Sequence, residues 1–220
     1  MNKKKLLSLA LVVIMIATIS FSSLAWFTDK DAAENKFTIG GAGAEDPDQI
    51  FSVDVKENVD GKDEAVDGMD FENILPGDKF KKEAFITNTG SYDQYIRVTV
   101  KIDQAAVWAA CLGSDFNDAT LQAIFGGFDI ASWSEITTKV ENNQIVVTMY
   151  YNDILAVGGD IVVFDTVNIP SELTREQAAY MGANGFSILV TADAVQTENL
   201  GIDLTDGICD AYQAFAVVEA

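Results

Sequence analysis

Tyr95-Ile96-Arg97-Val98-Thr99-Val100-Lys101-Ile102 alternates apolar and polar side chains without a break. In an extended chain successive side chains point to opposite faces, so Ile96, Val98, Val100 and Ile102 share one face and Arg97, Thr99 and Lys101 the other. One face is core and the other meets water, the mark of an antiparallel sheet. Upstream, Phe80 to Thr87 reads as a strand. The cluster Asn88-Thr89-Gly90-Ser91 tolerates tight turns, so the pair is expected to form a hairpin.

Downstream, Glu135 to Val140 and Ile145 to Tyr151 are separated by Glu141-Asn142-Asn143, and strands are expected again at Ile161 to Val167 and Phe186 to Gln196. Short strands at this spacing favour an antiparallel sandwich over βαβ units. Helical pieces interrupt them. Asp103 is expected to cap an alanine-rich helix ending at Gly113, and a second helix is expected over Ala119 to Phe125. Thr174-Arg175-Glu176-Gln177 fits a capping box opening a helix before Gly182. Near the C-terminus Ile208, Tyr212, Phe215 and Val218 recur at three and four residues, the pattern of a helix packed on the sandwich. Ile74-Leu75-Pro76-Gly77-Asp78 and Ile154-Leu155-Ala156-Val157-Gly158-Gly159-Asp160 echo each other and are expected corners where the chain changes sheet.

The N-terminus reads differently. Lys3, Lys4 and Lys5 precede the apolar run Leu6 to Ala17, and Ser23-Leu24-Ala25 places small side chains before a cleavage point between Ala25 and Trp26. This is a secretory leader, residues 1–25, with an uncleaved membrane anchor as the alternative. Residues 26–44 form an extended arm and joint: apolar Trp26, Phe27, Phe37 and Ile39, then Gly40-Gly41-Ala42-Gly43-Ala44. The sandwich domain occupies 45–220, with a helical insertion near 103–133 and a mobile acidic loop from Glu57 to Asp70.

Removing the leader leaves 34 acidic residues against 11 basic, a formal charge of −23. Such a surface repels nucleic acid and anionic lipid, so neither is an expected partner, and the membrane enters only through the leader. No histidine is present. That removes histidine-ligated zinc motifs and every triad built on an imidazole base. Carboxylates are the remaining acid–base groups, and among so many acids a suitably spaced pair carries no information. Asp60, Asp63, Asp67 and Asp70, and Asp203, Asp206 and Asp210, are oxygen-rich but do not follow the EF-hand order. Neither a catalytic centre nor a cofactor or metal is expected. Trp108 and Trp133 read as core packing. Export makes a disulfide between Cys111 and Cys209 feasible, and a buried free thiol at Cys111 fits equally well.

Several pieces together resemble the TasA and camelysin family of exported bacterial matrix and surface proteins. The leader end Leu24-Ala25-Trp26-Phe27-Thr28-Asp29 is similar to leaders cut by that family's dedicated signal peptidase. Lys36-Phe37-Thr38-Ile39-Gly40 follows, then Ile74-Leu75-Pro76-Gly77-Asp78-Lys79-Phe80, Ile86-Thr87-Asn88-Thr89-Gly90-Ser91, the strand near Tyr95, and Ile188 to Gln196. The matches cover both ends and much of the first half, but not Ala105 to Trp133. The resemblance implies an all-β, jelly-roll-like sandwich with short helical insertions and a C-terminal helix. It also implies a secreted structural subunit of a fibre or biofilm matrix, in which the arm of one copy donates a strand to the next through Phe27, Phe37 and Ile39; the alternative for the arm is that it folds back as the first strand of its own domain. The expected partners are the chain itself, head to tail, and other matrix proteins. The alternatives are a monomeric cell-surface binding module and, against the missing histidines, a camelysin-like peptidase.

Overall fold

The computed structural model describes residues 28–32, 53–59, 75–184, 186–198 and 200–219. The leader, Ala25, Trp26, Phe27, Phe37, Ile39, the glycine joint and Asp60, Asp63, Asp67 and Asp70 lie outside them.

The alternating stretch forms β4, Gln94–Asp103, whose apolar face is fully buried while Arg97, Thr99 and Lys101 lie on the other face. It is the middle strand of a five-stranded sheet in the order β1-β9-β4-β7-β6, built with β1 (Thr28–Ala32), β6 (Trp133–Glu141), β7 (Gln144–Tyr151) and β9 (Ile188–Gln196). A four-stranded sheet in the order β2-β3-β8-β5 uses β2 (Val53–Val59), β3 (Lys79–Asn88), β5 (Phe125–Gly126) and β8 (Asp160–Asn168). Every pairing is antiparallel. One core cluster draws on both sheets, with Ile96, Val98, Val100, Val147, Met149, Val190 and Ala192 from the first and Ala84, Ile86, Val163, Phe164 and Val167 from the second. The all-β sandwich expected from the alternation is therefore present.

The expected hairpin between Phe80–Thr87 and Tyr95 is not, because β3 and β4 belong to different sheets. The physical reason is Asn88, which is 1 % exposed. Its amide nitrogen donates to the carbonyls of Tyr92 and Leu155, each at 2.9 Å, and its side-chain oxygen accepts from the Gly90 amide at 3.0 Å. These bonds replace the ladder partners a hairpin would supply and turn the chain across the core. Of the two expected corners, the one at 154–160 does change sheet, linking β7 to β8. The one at 75–78 does not: it leads into β3, neighbour of β2 in the same sheet. There Gly77, at φ +85°, permits a turn closed by the Leu75 amide donating to the Asp78 carboxylate at 2.7 Å.

Asp103 does not cap the first helix, α1 (Ala105–Leu112). Its carboxylate instead accepts from Gln144 Nε2 at 2.7 Å and Ser187 Oγ at 2.6 Å. The helix start is satisfied from the β6–β7 hairpin: Asn143 accepts from Ala105 N through its carbonyl at 2.8 Å and from Ala106 N through its side chain at 3.0 Å. Asn142 and Asn143 both have positive φ, the requirement of the tightest hairpin turn. Helix α2 (Asp118–Ile124) is capped by Asn117, and the Thr174–Gln177 box forms reciprocally at 2.8 and 3.2 Å to open α3 (Arg175–Asn184). That helix continues through Gly182. The stretch near 103–133 builds core: Trp108, Phe116, Leu121, Ile124, Phe125, Phe128 and Trp133 are buried, and Phe125 stacks on Phe164 at 4.4 Å.

The C-terminal helix α4 (Asp210–Val218) is present, but its buried face is Ala211, Ala214 and Phe215. Ile208 and Tyr212 are exposed instead. The sheet below already presents Tyr95 and Val195, and alanines are what fit over them. Cys111 and Cys209 are both free. Burial, aided by Glu172, pushes the Cys111 thiol above its ordinary pKa.

A reducing agent should therefore leave the melting temperature unchanged, and both thiols should react with Ellman's reagent once the chain is unfolded. Trp108→Ala, which empties a site 1 % exposed, should cost about 3–5 kcal/mol in urea denaturation.

Candidate functional site

A protein that recognises an extended segment must offer a row of unpaired backbone groups, so the sheet edges are the places to examine. The β6 edge is guarded by a register shift between Ser134 and Thr137, by Glu135 at φ +50°, and by the exposed Lys139–Glu141 ion pair at 2.9 Å. The β2 edge carries the Lys56–Asp54 pair at 3.0 Å. The β5 edge is two residues long. Each of these devices discourages addition of a further strand.

The fourth edge is β1. It pairs with β9 in unbroken register, Thr28 opposite Val195 through Ala32 opposite Thr191. Five residues make the ladder, and residues 33–52 separate it from β2. Thr28–Ala32 falls inside the segment expected to be an assembly arm, and here it pairs within its own chain. The side chains expected to fill a neighbour's groove, Phe27, Phe37 and Ile39, and the cleavage pair Ala25 and Trp26, lie outside the described residues.

The rail on which β1 rests is held from the opposite side of the sheet centre. Arg97 on β4 donates to Asp193 on β9 through Nε at 3.0 Å and Nη2 at 2.6 Å, and to Glu219 beyond α4 through Nη1 at 2.6 Å. Its guanidinium also lies 4.5 Å from the centre of the Phe215 ring. Burial works against the charge, but the hydrogen bonds that the guanidinium donates to Asp193 and Glu219 outweigh it and raise the pKa above its ordinary value. One cation thus ties β4, β9 and α4 together. Tyr150 completes the seat, its ring meeting Tyr212 and Phe215 edge-on at 5.2 and 5.8 Å. Sequence reading placed Arg97 on a wet face and missed this clasp. An arginine facing outward on a strand gives no hint that residues about a hundred positions away will close over it.

Chemistry of other kinds finds little support in the geometry. Among the described residues no three histidine, cysteine, aspartate or glutamate side chains come together to hold a metal. Asp203 is occupied by Thr205, whose hydroxyl and amide hold the carboxyl below its usual pKa, and Asp206 accepts from the Ile208 amide and Gln213. The interior cavity lined by Val100, Phe128, Val147 and Met149 has about 10 Å³ of space, at the lower limit for a single water, and its walls are apolar. Among the described residues no helix is long and apolar enough to cross a membrane.

Arg97→Ala should cost about 1–3 kcal/mol, because Asp193 loses its charged partner at a half-buried position, and limited proteolysis should then release α4 first. Tyr95 lies under the same helix, and burial together with Asp210 and Cys209 raises its pKa. A raised folded pKa means stability is intact below the ordinary value of 10 and falls as pH climbs through the folded value. Stability measured by urea denaturation should thus drop above about pH 10, less steeply in Tyr95→Phe.

No protein-family model, curated protein or solved structure matches the chain.

Proposed function

We propose that this chain is a secreted structural protein, a TasA-like subunit of an extracellular fibre or biofilm matrix, which assembles when the N-terminal strand of one copy occupies the place beside β9 of the next. The observation that carries the reading is the β1–β9 ladder. Its strand is short, lies at a sheet edge, and joins the remainder through residues 33–52. The same backbone bonds form whether the strand comes from the same chain or from another, so exchange leaves the ladder energy nearly unchanged. Intramolecular pairing is favoured by effective concentration, which for a flexible tether is of the order of millimolar. Assembly therefore depends on protein concentration and on whatever further contacts the neighbours make.

Cleavage between Ala25 and Trp26 would leave two residues ahead of β1, freeing the strand to exchange. The finer fold reading, a jelly roll, draws support from the repeated crossing between sheets at β3 to β4, β4 to β5, β7 to β8 and β8 to β9. A peptidase finds no support in a chain without histidine, whereas the pairing of β1 within its own chain fits the alternative of a monomeric cell-surface binding module as well.

Deleting Trp26 to Ile39 from the mature protein should abolish the concentration-dependent fibres expected in electron microscopy and lower the melting temperature. Adding a synthetic peptide of residues 26–39 should restore that temperature by refilling the slot. Fibres of normal length from the deletion, or a peptide without effect, would sink strand donation.

A further inference from the structure

The register of β1 decides which end of the sandwich lies beside the leader. The upper end holds Gln94, paired with Gln196, and the lower end holds Asp103 and Ile188. β1 begins at Thr28 opposite Val195, next to Gln196, and runs downward to Ala32 opposite Thr191. The chain before Thr28 therefore departs at the upper end. Only Trp26 and Phe27 separate Thr28 from Ala25, the last residue of the leader, and two residues span at most about 7 Å. Leu6 to Ala25 is long enough to cross a bilayer as a helix. While the leader is attached and inserted, the upper end is held at the membrane surface and the lower end is directed away from it.

The surface presented there is apolar and fixed. Tyr92, Ile154 and Val157 stand at the upper end and are 55 %, 48 % and 52 % exposed. Their two loops are locked together. Gln94 and Leu155 bridge through their backbones, Asn88 Nδ2 donates to the carbonyls of Tyr92 and Leu155, and the Val157 amide donates to Asp93 at 3.1 Å. Large apolar side chains held side by side in water mark a contact surface. Tyrosine suits the boundary of a bilayer, with an apolar ring and a hydroxyl that stays wet. Loops 89–93 and 152–159 contain no lysine or arginine and carry Asp93 and Asp153. Anionic headgroups repel such loops, so apolar contact with a zwitterionic headgroup region is the interaction that remains.

We propose that Tyr92, Ile154 and Val157 form a membrane seat, which rests on the outer leaflet while the leader is attached and lets go once the chain is cut between Ala25 and Trp26. Three half-exposed side chains are too little for stable binding alone, since even one full acyl chain gives only marginal, reversible attachment. With the leader in the same bilayer the contact is intramolecular, and effective concentration makes a weak contact sufficient. The seat thus belongs to the uncleaved protein, and cleavage removes both the anchor and the reason for contact. The inference rests on the leader in the proposed reading and is independent of strand donation. Leu75, 63 % exposed in the turn before β3 at the lower end, faces away from the bilayer in this arrangement.

The full chain with its leader, reconstituted in phosphatidylcholine vesicles, tests the seat. Photoreactive p-benzoylphenylalanine is placed singly at Tyr92, Ile154, Val157 or Leu75. Irradiation should attach lipid from the first three positions and at least about tenfold less from Leu75. The double variant Tyr92→Ser/Val157→Ser should still float with the vesicles, because the leader holds it, but should lose most lipid labelling from the probe at Ile154. The mature protein beginning at Trp26 should neither float nor be labelled. Equal labelling from Leu75, cross-links from Tyr92 to a second copy in place of lipid, undiminished labelling in the double variant, or flotation of the mature protein overturns the seat while the leader reading stands. Failure of the full chain to float overturns the leader reading and the seat with it. Neither result depends on whether the mature protein forms fibres, so strand donation is judged separately.

Discussion

An interior strand has no water on either side to satisfy its backbone, so both its rows of amides and carbonyls must find partners in neighbouring strands. β4 is under that constraint along nearly its whole length, paired with β9 from Gln94 to Ile102 and with β7 from Arg97 to Asp103. Its inner side chains reach zero to one per cent exposure. Shifting β4 by one residue would turn Arg97, Thr99 and Lys101 into the core, so its register cannot slip without destroying the sandwich. β1 inherits its position from this strand through β9.

Two polar groups, buried Asn88 and half-buried Asp103, close the ends that β4 leaves open. Asn88 above and Asp103 below each collect bonds from loops distant in sequence, Asn88 from the β7–β8 connection and Asp103 from Gln144 and Ser187. A third, Lys82, is 1 % exposed and donates from β3 to the Ile188 carbonyl at 3.3 Å, joining the two sheets through the core. Buried polar groups of this kind are costly when unsatisfied, so they favour the one arrangement that satisfies them. Apolar packing alone would tolerate more than one.

This division explains what the sequence made legible. Period-two alternation is a local signal, and the strands at 80–87, 95–102, 135–140, 145–151, 161–167 and 186–196 were readable from it. The Thr174–Gln177 box was likewise visible because both partners lie within one turn. What escaped was decided by partners far along the chain. Asn88 looked like a turn residue, which it is, but whether a turn folds back or crosses the core depends on Leu155. Asp103 looked like a cap, yet Asn143 took that role because the hairpin tip arrives beside the helix start. The face of α4 was read in part: Phe215 and Val218 pack on the sheet as their spacing suggested, but Ile208 and Tyr212 are exposed, and the sheet beneath, already bearing Tyr95 and Tyr150, takes Ala211 and Ala214 in their place. At the candidate site, the aromatic arm drew the eye, but the described geometry rests on Thr28–Ala32, a charged and unremarkable pentapeptide whose importance comes from where β9 lies.

The same geometry bears on how a monomer could give way to a polymer. A five-residue ladder is weak when taken alone, and an edge strand so short is a natural place for local opening. The rail beneath it is not weak, because Arg97 binds β4 to β9 and Phe215 with α4 covers their outer face. Opening of β1 therefore need not loosen the sandwich. A firm acceptor beside a strand that can leave is the combination that strand exchange requires. In the proposed assembly the clasp would keep the slot beside β9 in shape until a second strand, from the same chain or another, fills it.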